Sequence, residues 1–239
     1  MPPDERAPAP DALSILTSGD VELRGRLPWS SNATFLVTVR QDGDSLPAVY
    51  KPRRGERPLW DFPVGLFRRE VAAYRLSEAL GWGIVPETVV RADGPFGPGS
   101  VQRFVPADFS EHYFTLLDRP EHHDALRTIA AFDLLANNAD RKSGHCLLGE
   151  DGRVWAIDNG LCFHVQANLR TVMWDFCGQP IPAPLLADID RVAVSLPPLD
   201  ELLDAREIDA LGRRARAVAD QGIFPDPGLA RRSYPWPLV

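Results

Sequence analysis

Residues 137–163 read Asn-Asn-Ala-Asp-Arg-Lys-Ser-Gly-His-Cys-Leu-Leu-Gly-Glu-Asp-Gly-Arg-Val-Trp-Ala-Ile-Asp-Asn-Gly-Leu-Cys-Phe. Asp151-Gly152 stands between two apolar runs, the strongest short-range signal for a two-residue hairpin turn. With those residues at the tip, the expected register sets Leu148 against Trp155, Cys146 against Ile157 and His145 against Asp158. Asp140 lies just upstream, in the loop that closes the helical segment Asp124–Asn137. Three groups able to bind a metal, Asp140, His145 and Asp158, are therefore expected to converge. Each also has a plainer reading. Asp140 can cap a turn, Asp158-Asn159-Gly160 is a turn signal, and His145 can be a hydrogen-bonded hairpin residue.

Outward from this stretch, the first half of the chain is strand-rich and the second half helix-rich. Residues 33–39 are rich in β-branched residues and read as a strand, with Ala48-Val49-Tyr50-Lys51 returning after a turn at residues 41–45. Leu66–Leu80 reads as a helix closed by Gly81. Short strands are expected at 87–91 and 100–105, and further helices at Leu199–Leu203 and Ile208–Gln221. The pattern predicts an α+β protein of two lobes. Residues 1–12, rich in Pro and Ala, read as a disordered tail. A strand-rich N-lobe is expected over 13–105 and a mostly helical C-lobe over 106–239.

Within the helix at 66–80, Leu66, Phe67, Ala73 and Tyr74 lie three or four positions from Glu70, placing Glu70 on or beside the apolar stripe. A buried carboxylate needs a cation. Lys51, at the end of the preceding strand, is the natural candidate; a position at the stripe's edge, reaching solvent, is the alternative. Between the first strands, Ser30, Ser31 and Asn32 form a short polar loop that either offers donors to phosphate or serves as a turn.

Asn138-Ala139-Asp140-Arg141, followed by Ala156-Ile157-Asp158-Asn159-Gly160-Leu161, resembles the catalytic loop and metal-binding turn of the phosphatidylinositol 3- and 4-kinase superfamily. It is similar also to HipA-type bacterial kinases, which carry an Asn-x-Asp-Arg segment. The resemblance covers about Gly25–Phe163 and implies a protein-kinase-like fold that uses ATP with Mg²⁺ or Mn²⁺. It implies that Asp140 orients or deprotonates an acceptor hydroxyl. Beside it, Arg141 and Lys142 either steady transferred charge or are solvated loop charges, and Asn138 is read as bracing the loop. Asp158 would hold the metal. Lys51, paired with Glu70, would contact the nucleotide phosphates under Ser30, Ser31 and Asn32. Gln102, Phe104 and Val105 would link the lobes beside the adenine. His145 stands where these kinases have Asn. An imidazole suits Mn²⁺ or Zn²⁺ better than Mg²⁺, which points to a Mn²⁺ preference or to weakened activity.

The net charge of −7 argues against broad nucleic-acid or anionic-membrane binding. Three cysteines without Cys-x-x-Cys spacing, and no apolar run of membrane-spanning or signal-peptide type, set the expectation of a cytoplasmic protein. The expected activity is phosphotransfer from ATP to a hydroxyl of a protein or small polyol. A nucleotide-binding pseudokinase and a metal-dependent hydrolase using Asp140, His145 and Asp158 are the alternatives.

Overall fold

A computed structural model describes residues 11–28, 32–227 and 233–238. Five strands form one antiparallel sheet: β1 (Asp20–Arg26), β2 (Phe35–Gln41), β3 (Asp44–Pro52), β4 (Thr88–Arg91) and β5 (Gly99–Arg103). They lie in the order β1-β2-β3-β5-β4. The alternation of Val37 and Val39 with more polar neighbours turns one face inward, where both meet Ala48, Tyr50 and Val101. The helix α1 (Ala12–Ser18) adds Ile15 and Leu16 to this core. Arg91 secures α1 by donating to the carbonyls of Leu16 (3.0 Å) and Gly19 (2.8 Å), while its other nitrogens hold Asp93.

The remaining elements are mostly helical: α2 (Leu66–Leu80), α3 (Tyr113–Leu117), α4 (His123–Ala136), α5 (Ala183–Val194) and α6 (Ala205–Gln221). A short hairpin, β6 (Cys146–Leu148) with β7 (Val154–Ala156), follows α4. Leu76 and Leu80 of α2, Ile129 and Phe132 of α4 and Leu211 of α6 share one core. Both α2 and α4 end on a left-handed residue, Gly81 (φ 75°) and Asn137 (φ 53°). Asn137 occupies that conformation because its side chain repays the strain. Nδ2 donates to the carbonyls of His164 and Gln166, and Oδ1 accepts from Asn168 N.

The chain divides into two compact units, one within Met1–Arg57 and Glu87–Phe104, the other within Pro58–Pro86 and Val105–Val239. The break at 104/105 falls where the strand-rich and helix-rich halves meet. The helix α2 belongs to the helical unit, whereas the sequence groups it with residues 13–105.

Three local expectations are corrected. The hairpin pairs Cys146 with Ala156, Leu147 with Trp155 and Leu148 with Val154, one residue away from the expected register. Its loop is longer than two residues: Gly149 N donates to Arg153 O, and Asp151 Oδ1 accepts from Arg153 N. The Asp151 side chain thus closes an Asx turn that the dipeptide rule does not anticipate. Leu199–Leu203 forms turns, because the extended Asp204 caps α6 by accepting from Glu207 N. The helix α5 begins at the Pro182–Pro184 cluster, where proline sits in the first turn instead of ending structure.

Candidate active site

The loop after α4 and the turn after β7 carry the carboxylates singled out above, and one buried guanidinium holds both. Arg141 is fully buried, and its five N–H donors are all used. Nε donates to both Asp133 oxygens (3.2 and 3.0 Å), and Nη2 to Asp133 Oδ1 (2.9 Å) and Asn159 Oδ1 (2.7 Å). Nη1 donates to the carbonyls of Ile157 (2.7 Å) and His145 (3.3 Å). Burial alone would lower its pKa, but the Asp133 carboxylate holds it above the usual guanidinium value. Arg141 therefore has no donor left for a transferred phosphoryl group. It sets the backbone on either side of the candidate metal residues.

Asn138, also fully buried, joins the same network. Its Nδ2 donates to Asp133 Oδ1 (3.0 Å), and its Oδ1 accepts from Asp140 N (3.0 Å). The Asp133 carboxylate thus reaches Asp140 through Asn138 and reaches Asn159 through Arg141.

Asp140 itself is partly exposed, and Lys142 Nζ lies 3.4 Å from its Oδ2. Burial pushes the Asp140 carboxyl up to about 6, with Lys142 lowering it and the Asp158 charge raising it. Asp158 adopts a left-handed backbone (φ 57°), uncommon for a residue with a side chain. His145 opposes Ile157, not Asp158, in the ladder, and Ile157 N donates to its carbonyl. The two side chains nevertheless meet, with His145 Nε2 3.3 Å from Asp158 Oδ2, because Asp158 has left the strand. His145 Nδ1 accepts from Lys142 N at 3.3 Å. In that neutral tautomer Nε2 carries the proton and faces Asp158 as a donor; ligation through Nε2 needs the other tautomer.

Two consecutive residues of α2 hold the turn that follows Asp158. Glu70, buried as expected, accepts from Asn159 N (3.0 Å) through Oε2. Arg69 donates to Cys162 O (2.7 Å) and to Glu207 at the start of α6. A side chain at Gly160 would place Cβ 3.3 Å from Glu70 Oε1, so glycine permits the close approach.

Lys51 pairs with Ser100 in the sheet. Gln102 Nε2 donates to Thr88 Oγ1 (2.8 Å), Phe104 N donates to Pro47 O, and Asn32 Oδ1 accepts from Arg57 N (2.9 Å). Val105 packs with Leu147 and Trp155 in the helical unit. Ser30 and Ser31 lie outside the described residues. Among the described residues, no group of three or more His, Cys, Asp or Glu side chains gathers to hold a metal, and no helix is long and apolar enough to cross a membrane. Sequence reasoning missed Asp133 and Asn159. Asp133 had a usable signal: like Glu70, it sits among apolar helix positions, here Ile129, Phe132 and Ala136.

No protein-family model matches the chain. The Mycobacterium tuberculosis protein Rv2133c is 42% identical over 266 residues, spanning 95% of each chain. The chain belongs to the Rv2133c family. Among solved structures it is similar to hydra Fam20, determined with sugar (TM-score 0.57, 15% identity, 87% of this chain and 86% of that one). It is similar also to the Golgi casein kinase with Mn/ADP bound (TM-score 0.54, 15% identity, 95% and 79%). The Helicobacter pylori proinflammatory kinase CtkA is a third likeness (TM-score 0.53, 12% identity, 87% and 94%). The fold of this family member is accordingly α+β and protein-kinase-like, with a strand-rich N-lobe and a mostly helical C-lobe.

Proposed function

We propose that this protein is an ATP-dependent phosphotransferase, an atypical kinase akin to the phosphatidylinositol 3-/4-kinase superfamily. It would transfer the γ-phosphate to a hydroxyl of a protein or small polyol. The observation that carries the reading is the joint tethering of Asp140 and the Asp158 turn by one Asp133–Arg141 hub, on a fold shared with kinases. Charge supports a divalent cation here. Burial, and with it the Asp158 charge, raises the cost of ionising Asp140, and a cation between carboxylates and phosphates would relieve it.

In this reading Asp158 is the principal metal carboxylate, with His145 its second ligand or its orienting donor. The metal, when bound, neutralises charge on the nucleotide phosphates. Asp140 accepts the acceptor's hydroxyl proton, and its raised pKa suits it to do so near neutral pH. Lys142 stands at hydrogen-bonding reach of Asp140, and Lys51 is assigned to the nucleotide phosphates. Arg141 and Asn138 position and take no part in bond making.

Thermal unfolding with ATP and either Mg²⁺ or Mn²⁺ tests the reading. Ligand at about 100 times its Kd stabilises the native state by about 2.7 kcal/mol. A metal-dependent rise in Tm is expected for wild type and not for Asp158→Asn. Asp140→Asn is expected to keep the rise and lose transfer. No rise with either metal in folded protein would remove the kinase reading. A metal-dependent hydrolase would instead keep its activity in Lys51→Ala, where a kinase loses it.

A further inference from the structure

Residues 233–238 run alongside the loop that carries Asp140 and His145. At one end, Ser233, itself buried, offers its carbonyl to two donors, Thr171 N (3.1 Å) and Trp174 Nε1 (3.0 Å). Its hydroxyl donates to Pro227 O (2.9 Å), and the next ring, Tyr234, packs edge-on to Trp174 with centroids 6.5 Å apart. At the other end, Leu238 O accepts from Ser143 N at 2.9 Å.

Ser143 opens the 3₁₀ turn Ser143–His145, and it is fully buried. The first N–H groups of any helical turn lack partners within it and need them from outside. Here Leu238 supplies the partner for Ser143, as the His145 ring does for Lys142 N. On its other flank, the loop pairs through Arg141 N with Arg170 O and through Arg141 O with Val172 N. That flanking segment, residues 170–172, is the one Ser233 holds at Thr171. The segment therefore ties both sides of the Asp140 loop together.

We propose that residues 233–238 are a strap that positions the Asn138–His145 loop for phosphotransfer. The inference rests on the catalytic reading of that loop given above. Without the strap, Ser143 N–H is a buried donor with no acceptor, and the turn carrying His145 must open to water or shift. Such opening is local: the hub at Arg141 remains, so the fold persists while the loop loosens.

The test compares the full chain with a chain ending at Pro227, and with Trp174→Phe, which leaves a smaller aromatic ring and removes the donor to Ser233. Amide hydrogen exchange over residues 138–145 is read beside kcat and the KM for ATP. Exchange at Ser143 and its neighbours is expected to quicken on the order of tenfold or more in the truncated chain, with a smaller change in Trp174→Phe. A fall in kcat of about tenfold, with KM for ATP held, is expected alongside. Unchanged exchange in the loop would overturn the proposal, as would faster exchange with undiminished kcat. Restored protection and turnover on adding a synthetic 228–239 peptide to the truncated chain would support it. If the full chain shows no phosphotransfer, the catalytic reading fails, and the exchange result alone decides whether the strap holds the loop. If the truncated chain does not fold, Trp174→Phe in the full chain gives the same two readouts.

Discussion

Asp133 and Arg141 form a three-bond ion pair with no solvent exposure, at 2.9 to 3.2 Å, between the last turn of α4 and the loop after it. Such a pair contributes little net stability over an apolar one, but losing one partner strands a charge in the interior. Asp133→Leu is therefore expected to destabilise the protein by about 3–5 kcal/mol in urea unfolding. Arg141→Lys should be damaging too, since an ammonium cannot supply the fork that reaches Asp133, Asn159, Ile157 and His145 together. A stability within about 0.5 kcal/mol of wild type would show that the hub is dispensable.

Asp140 makes a prediction in pH. Its carboxyl titrates at about 6 when folded, against 3.8 ordinarily, chiefly through burial. Between those values the native state holds more protons than the unfolded chain, so stability falls as pH rises through this window. Asp140→Asn removes the effect. The variant should be more stable than wild type by about 1–3 kcal/mol at pH 7–8, with the advantage shrinking toward zero near pH 4. Thermal melts without metal or nucleotide, across pH 4 to 8, measure it; a pH-independent difference would contradict the assignment.

The turn after Asp158 tolerates little bulk. Gly160→Ala brings a methyl group to 3.3 Å from Glu70 Oε1, while Oε2 of the same carboxylate is committed to Asn159 N. A loss of about 1 kcal/mol is expected, and the loss should be smaller in a Glu70→Ala background, where the obstacle is gone. A double-mutant cycle by denaturant unfolding reads the coupling; strictly additive effects would mean that the two residues do not interact.

At the start of α6, Asp204 and Glu207 form a capping box, and Glu207 also takes the buried Arg69. Asp204→Ala should cost about 1 kcal/mol as a lost cap. Glu207→Ala should cost more, about 3 kcal/mol, because Arg69 is left buried without its anion. Equal losses in the two variants would place the worth of Glu207 in the cap alone.

Much of this was legible in local sequence. The bounds of α2, Leu66–Leu80, are legible because its apolar spacing and the capping Gly81 agree. Glu70 was readable as a buried carboxylate from the same spacing. The hairpin was legible as a hairpin, but its register depended on Asp151 closing a longer loop through its own side chain. A shift of one residue moved His145 opposite Ile157. The helix α5 was hidden because proline signals both a stop and a start, and only packing chooses between them.

Sequence by itself determined which residue types occur where: a strand-rich half, a helix-rich half, and an Asp-bearing loop and turn flanking a hairpin. Those follow from periodicity and turn chemistry, which act over a few residues. Tertiary structure alone decided that Arg141 faces inward to Asp133, that Glu70 holds Asn159 N, and that Leu238 meets Ser143. Each of these joins groups separated along the chain. A buried charge or N–H dictates only that some partner be found, and the folded backbone decides which one comes within hydrogen-bonding distance.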